Sequence, residues 1–124
     1  MITSCNRVPV LYGHIETVMV EFESKPGPSI DEIIKAFEEY SCEAQKMKCH
    51  SAPKRAIVLT SLDDRPQPLF DVNVESGMSV MIGRIRPCSV LDVKFTLLVH
   101  NTILGAAGSS ILNAELAHHK GLLK

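Results

Sequence analysis

Apolar and polar residues alternate along the segment from position 90 to position 100. Successive side chains of a β-strand point to opposite faces of the sheet, so this alternation predicts a strand with one apolar and one polar face. We expect the apolar face to pack on a core and the polar face to meet water or a partner. The apolar positions are Leu91, Val93, Phe95, Leu97 and Val99, and the polar ones are Asp92, Lys94, Thr96 and His100.

Further strands and helices are predicted on either side of this segment. Ser29 and Glu32 have the spacing of a capping box, and apolar residues at helical intervals after them predict a helix that ends near Tyr40. Strands are predicted at 14–22, 56–62 and 78–86 and a second helix at 109–120, while 42–53 and 63–68 are expected to be irregular. This order predicts an α+β fold, namely a mixed, largely antiparallel sheet with helices packed on one face.

The composition suits one domain over residues 1–124 and excludes several classes of function. The chain is 45% hydrophobic and 22% charged with a formal net charge of −1, so no overall field attracts nucleic acid or anionic lipid. No apolar run approaches the roughly 18 to 20 residues of a membrane-spanning helix, and no signal peptide is visible. We therefore expect a cytoplasmic protein with neither nucleic acid nor a membrane as partner. The four cysteines form no Cys-x-x-Cys pair, so we expect reduced thiols and no metal site.

Arg7 and His14 are the first candidates for chemistry. An arginine can hold a carboxylate through two parallel hydrogen bonds, and a histidine can move a proton near neutral pH. Their separation of seven residues would place them on opposite faces of one regular strand, so they converge only if the chain bends at Pro9 and Gly13. On spacing alone, a surface arginine and a partly buried histidine at a strand end remain the favoured interpretation.

Two other segments contain polar or small residues and are considered as binding or catalytic segments. Asn101 and Thr102 precede a run of small residues, GAAGSS at 105–110, where a ligand can approach the backbone; the alternative is a tight turn that permits close packing. Arg65 lies in the segment DRPQP at 64–68 and is expected to pair with Asp63 or Asp64. A structural loop or a subunit contact is the favoured role for that segment, rather than catalysis.

Taken in order, eight short stretches resemble the C-terminal half of aspartate-semialdehyde dehydrogenase in its archaeal and fungal branch. They read CNRVPV at 5–10, GH at 13–14, SAP at 51–53, DRPQP at 64–68, GRIR at 83–86, HNT at 100–102, GAAG at 105–108 and ILNAE at 111–115. The resemblance covers nearly the whole chain. It implies a domain like the C-terminal domain of glyceraldehyde-3-phosphate dehydrogenase, which provides substrate contacts and forms a homodimer or a higher homo-oligomer through its sheet.

The family reduces L-aspartyl-4-phosphate with NADPH to L-aspartate 4-semialdehyde and phosphate, in lysine, methionine and threonine biosynthesis. By this resemblance Arg7 matches the arginine that clamps the carboxylate of the substrate, and His14 matches the acid/base. Asn101 and Thr102 match the segment that returns toward the nicotinamide end of the cofactor. The last helix matches one that packs on an N-terminal dinucleotide-binding domain.

The nucleophilic cysteine and the glycine-rich NADP loop of the family lie upstream of everything that matches here. Cys5 is two residues before the matched arginine and is not that nucleophile. Thioester chemistry needs a thiolate beside its base, so we expect residues 1–124 to be a substrate-binding and dimerisation domain that is inactive alone and does not bind NADP tightly. The alternatives are a non-catalytic dimerisation module or truncated relic, and the corresponding domain of a malonyl-CoA reductase-like relative.

Overall fold

The computed structural model describes residues 1–123 and contains five strands and four α-helices in that range. The strands are β1 (Ile2–Asn6), β2 (His14–Val20), β3 (Ile57–Thr60), β4 (Val80–Pro87) and β5 (Val93–Val99). The helices are α1 (Ile30–Glu38), α2 (Glu43–Lys46), α3 (Pro68–Asp71) and α4 (Gly108–His119), with a 3-10 turn at Val74–Gly77 and a π-helical turn at Ile103–Ala107. None of the helices described is both long enough and apolar enough to cross a membrane.

All five strands form one sheet in the order β1-β2-β5-β4-β3. The pairs β1–β2, β2–β5 and β4–β5 are antiparallel, and β3–β4 is parallel. The α+β class and the mixed, largely antiparallel sheet are therefore confirmed. The strongly alternating strand β5 lies in the middle of the sheet, where both of its edges are paired and its apolar side chains are covered.

The sheet carries a hydrophobic cluster on each face, which goes beyond the expectation of helices on one face. Ile82 and Phe95 belong to the cluster on which Phe37 of α1 packs. Met81 and Leu98 belong to the opposite cluster, which Val72 covers at the end of α3. Leu98 is only 1% exposed although it lies on the face of β5 that the alternation marks as polar. The short helix α3 supplies this second cover.

The capping box at the start of α1 is confirmed. The backbone N–H of Glu32 donates to Ser29 Oγ at 3.3 Å, and the backbone N–H of Ser29 donates to the Glu32 carboxylate at 2.7 Å. These reciprocal bonds satisfy two donors that a helix N-terminus otherwise leaves free. The backbone N–H of Ser29, followed by its hydroxyl, also holds the pKa of Glu32 below its ordinary value.

We expect Ser29→Ala to lower the free energy of unfolding by about 1 kcal/mol, because one helix donor loses its acceptor. Urea denaturation followed by circular dichroism measures the difference. Ser89→Ala is the matched control, since Ser89 is exposed in the β4–β5 turn and caps no helix. Equal losses in the two variants would contradict the role given to the capping box.

Candidate functional site

Arg7 and His14 flank a hairpin loop at the open end of the β1–β2 pair. The register of that pair ends with Asn6 opposite Ile15, and the next positions in the same register are Arg7 and His14. Directly opposite positions of an antiparallel pair share one face of the sheet and lie about 5 Å apart. The chain reverses direction between the two residues, so the odd spacing does not separate them. Arg7 is exposed and His14 is half-buried.

Gly13 allows the loop of residues 8–13 to reach β2. Its φ of +112° lies in the region that favours glycine. A Cβ there would stand 3.0 Å from Leu98 Cδ1 and 3.2 Å from Pro68 Cβ, which is closer than ordinary side-chain contacts. The loop therefore packs against the N-terminus of α3 and against the central strand, and this packing places His14 at the first residue of β2.

Asn101 lies next to this loop. The backbone N–H of Gly13 donates to Asn101 Oδ1 at 3.1 Å. His14 is opposite Val99 in the β2–β5 pair, so the end of β5 runs directly toward Asn101 and Thr102. The structure thus brings the positions of Arg7, His14 and Asn101 to one end of the sheet, with the exposed Thr102 following.

His100 is a buried residue at this junction whose role the sequence leaves open. Its side chain is 3% exposed, and Nδ1 accepts hydrogen bonds from the backbone N–H groups of Thr102 and Ile103, each at 3.2 Å. The ring of Tyr12 stacks on the imidazole with 5.0 Å between centroids and 25° between planes. Tyr12 carries no sequence signal beyond its place in the loop between Arg7 and His14.

The small residues after Thr102 serve close packing. The N–H of Gly105 donates to His100 O at 2.9 Å, and that of Ala107 donates to Thr102 O at 3.2 Å, so these donors are already used. A Cβ on Gly108 would stand 3.0 Å from Ile103 O and would overlap the sulfur of Met78. The tight-turn interpretation of this segment is therefore favoured over a backbone site for a ligand.

Arg65 pairs with Asp71, which corrects the expectation of a pair with Asp63 or Asp64. Arg65 Nε donates to Asp71 Oδ2 at 2.6 Å, and Nη2 contacts Oδ1. The backbone N–H of Gln67 also donates to the same carboxylate, at 2.7 Å. The Arg65 guanidinium and this N–H hold the pKa of Asp71, a 3% exposed residue, below its ordinary value. The pair is structural, because it fastens the 64–68 segment to α3.

A second polar contact fastens α4 to the segment before β3. The backbone N–H and the hydroxyl of Ser51 donate to the Glu115 carboxylate at 2.9 and 2.8 Å. These two bonds, together with the nearby imidazoles of His50 and His119, hold the pKa of Glu115 below its ordinary value. Both partners belong to stretches on which the family resemblance rests, Ser51 to SAP at 51–53 and Glu115 to ILNAE at 111–115.

Taken together, the polar end of the sheet offers a cation for a carboxylate or phosphate and a neighbouring imidazole for proton transfer. Cys5 is exposed on β1, where it pairs with Glu16. Within residues 1–123, no group of three histidine, cysteine, aspartate or glutamate side chains is placed to hold a metal ion. Arg7 and His14 are the side chains at this end of the sheet whose chemistry suits anion binding and proton transfer.

Comparison with known proteins gives concordant results. The family model "Semialdehyde dehydrogenase, dimerisation domain" matches residues 1–104. The chain is 50% identical to aspartate-semialdehyde dehydrogenase of Cryptococcus neoformans over 98% of its own length, and 51% identical to that of Schizosaccharomyces pombe over 96%. It spans about a third of the length of these relatives, 33% and 34%.

The fold is also similar to a solved structure of aspartate semialdehyde dehydrogenase with NADP from Candida albicans. The TM-score is 0.86 at 44% sequence identity, and the match covers 94% of this chain and 33% of the other. The agreement therefore extends from sequence to three-dimensional arrangement over the same third of the relatives.

Proposed function

The chain belongs to the semialdehyde dehydrogenase dimerisation-domain family, and on that premise we propose that residues 1–124 form the substrate-binding and dimerising domain of an aspartate-semialdehyde dehydrogenase. The reaction proposed for the complete enzyme is the NADPH-dependent reduction of L-aspartyl-4-phosphate to L-aspartate 4-semialdehyde and phosphate in the cytoplasm. The remaining two thirds of such an enzyme would supply the dinucleotide-binding domain and the nucleophilic cysteine. The proposal is supported by the positions of Arg7, directly after β1, and His14, at the start of β2, together with the hydrogen bond from the Gly13 N–H to Asn101 Oδ1.

Arg7 is proposed to bind the carboxylate of the substrate. Its exposed guanidinium lies beyond the end of β1, and the planar donor pair suits a carboxylate held through two hydrogen bonds. His14 is proposed to take the proton of the reacting thiol of the complete enzyme, so that the thiolate can attack the acyl carbon, and to hold that proton during acyl transfer. Its backbone pairs with Val99 of β5, so the imidazole is presented from the first residue of a strand rather than from the loop before it.

Asn101 and Thr102 are the residues that fit the nicotinamide end of NADP. Asn101 Oδ1 is held by the Gly13 amide, which orients the side chain so that its Nδ2 remains a donor, and Thr102 is an exposed residue whose hydroxyl lies 3.3 Å from His100 Nδ1. A carboxamide needs such neutral donors and acceptors. When bound, the cofactor supplies the hydride, while this chain contributes contacts at one end only. We therefore propose that tight NADP binding requires the complete enzyme.

A chimeric enzyme tests this function. In it, the present chain replaces the matching third of the Candida albicans enzyme, with which it shares 44% identity and a TM-score of 0.86. We expect the chimera to form NADPH from aspartate semialdehyde, phosphate and NADP, and the 124-residue chain alone to form none. Malonyl-CoA is assayed beside it. A folded chimera that reduces malonyl-CoA but does not turn over the semialdehyde would contradict the proposed substrate.

The second candidate function is dimerisation without catalysis, which the description of the matching family model favours. A row of small side chains crosses part of the sheet in register, from Ser4 through Thr17 to Thr96. Gly83, the next position in that row, is covered by Arg65 and Pro66. We propose the face that carries this row as the homodimer contact. Analytical ultracentrifugation of the chain and the chimera separates the candidates, because a dimeric but inactive chimera would favour the dimerisation module.

A further inference from the structure

The loop of residues 8–13 is fastened to the junction between β5 and α4 at two points. The ring of Tyr12 stacks on His100, and the N–H of Gly13 donates to Asn101 Oδ1. Gly13 also packs against Pro68 and Leu98, whereas Leu11 in the middle of the loop is 88% exposed. Arg7 and His14 stand at its two ends, so these two contacts fix the loop on which their relative position depends.

The hydrogen bonds of His100 define the state of its ring. Nδ1 accepts from the N–H groups of Thr102 and Ile103, and an imidazole nitrogen accepts only when it carries no proton. The ring is therefore the neutral tautomer with its proton on Nε2. In this state Nδ1 accepts from the backbone N–H groups of Thr102, the N-cap residue of the π-helical turn, and of Ile103, its first residue, and the ring offers its face to Tyr12.

We propose that His100 is a positioning residue which, through Tyr12 and Asn101, holds the loop between Arg7 and His14 in register with the 101–103 segment. We call His100, Tyr12 and Asn101 the His100 clasp. One ring thus serves two elements, because Nδ1 fixes the start of the turn and the ring face fixes the loop. The inference rests on the proposed function for the roles of Arg7 and His14, whereas the clasp itself is measured without any activity.

The clasp matters because proton transfer and carboxylate binding depend on distances that an unfastened loop does not hold. Small displacements of a binding or catalytic group reduce rates strongly even when every group is still present. Arg7 lies beyond the last paired residue of β1, so its position follows the loop as much as the sheet. His100 therefore influences the position of Arg7 through Tyr12 and the loop, and does not itself touch the substrate.

Nuclear magnetic resonance of the 124-residue chain tests the clasp directly. Long-range nitrogen–proton correlations of the His100 ring are expected to show Nε2 protonated and Nδ1 bare. We expect Tyr12→Ala to speed amide exchange at Gly13 and Ile103 by about twofold to tenfold, the range of an aromatic pair, and Tyr12→Phe to restore the slow rates. Tyr40→Ala is the control, since Tyr40 is 53% exposed against 49% for Tyr12.

The chimeric enzyme supplies the second readout. A loss of folding alone would lower kcat per total protein and leave KM for the semialdehyde unchanged, whereas a displaced Arg7 raises that KM. We expect Tyr12→Ala to raise it about tenfold, with Tyr12→Phe near the parent value. A proton on Nδ1, or equal amide exchange in Tyr12→Ala and Tyr12→Phe, would overturn the clasp. Inactivity of every chimera would count against the proposed function only. The clasp would still be tested by the ring correlations of His100 and by the amide exchange rates, which need no activity.

Discussion

Arg65→Met is expected to lower the free energy of unfolding at neutral pH by about 3–5 kcal/mol, because it leaves the Asp71 carboxylate buried without its cation. Asp71 is 3% exposed, and the Arg65 side chain beside it is 24% exposed, so water replaces little of the lost interaction. The Gln67 N–H alone then faces the charge. The effect exceeds that of a surface pair, where solvent screens both partners.

The same variant has a defined pH dependence. Arg65 holds the pKa of Asp71 below its ordinary value, so the carboxylate contributes stability that is fully present above the pKa of the unfolded chain, about 3.9. That contribution is lost as the pH falls through the lowered pKa of the folded state. The difference between parent and Arg65→Met is therefore largest at neutral pH and shrinks in acid.

Urea denaturation across this pH range measures the effect, with Arg55→Met as the control. Arg55 also pairs with a carboxylate, that of Glu75 at 3.6 Å, but its side chain is 65% exposed. An exposed pair of this kind contributes about 0–1 kcal/mol. Comparable losses in the two variants, or a loss in Arg65→Met that grows in acid, would count against a buried structural pair.

The strand and helix pattern of the sequence predicts most of the sheet but only part of its covering. The alternation in β5 places Phe95 correctly, yet Leu98 lies buried on the nominally polar face. The signal for a second apolar face was the unbroken run Leu97, Leu98 and Val99. Its cover, α3, has four residues and forms because tertiary packing and the Asp71 pair stabilise it, which local periodicity does not record.

The edge strand β1 and the candidate site depend on long-range contacts for the same reason. The sequence pattern does not mark Ile2–Asn6 as a strand, since every residue of it is exposed and its pairing with β2 defines it. The family resemblance marks Arg7 and His14 as site residues, whereas their spacing alone would place them on opposite faces of one regular strand. What brings the two positions together is a hairpin whose Gly13 packs against Pro68 and Leu98, residues distant in sequence.

Replacement of His14 by Gln in the chimeric enzyme is expected to lower kcat by about 10²- to 10⁴-fold, the contribution typical of a positioned acid/base. Glutamine is similar in size and keeps hydrogen-bonding atoms, but it does not exchange protons near neutral pH. The backbone pairing of His14 with Val99 of β5 does not depend on its side chain, which favours an unchanged fold. His118→Gln is the matched control, because His118 is exposed in the last turn of α4.

Arg7→Leu in the same chimera is expected to act on binding. Loss of a guanidinium that pairs with the carboxylate raises KM for aspartate semialdehyde by about tenfold to a hundredfold, and Arg7→Lys restores part of it because charge returns without the planar donor pair. Steady-state kinetics with varied semialdehyde give both constants. A fall in kcat alone for Arg7→Leu, or a change in KM alone for His14→Gln, would exchange the two roles. A rise in KM for Arg7→Leu together with a fall in kcat for His14→Gln would instead support one site, just beyond the last pair of β1 and β2, in which the arginine binds and the histidine moves the proton.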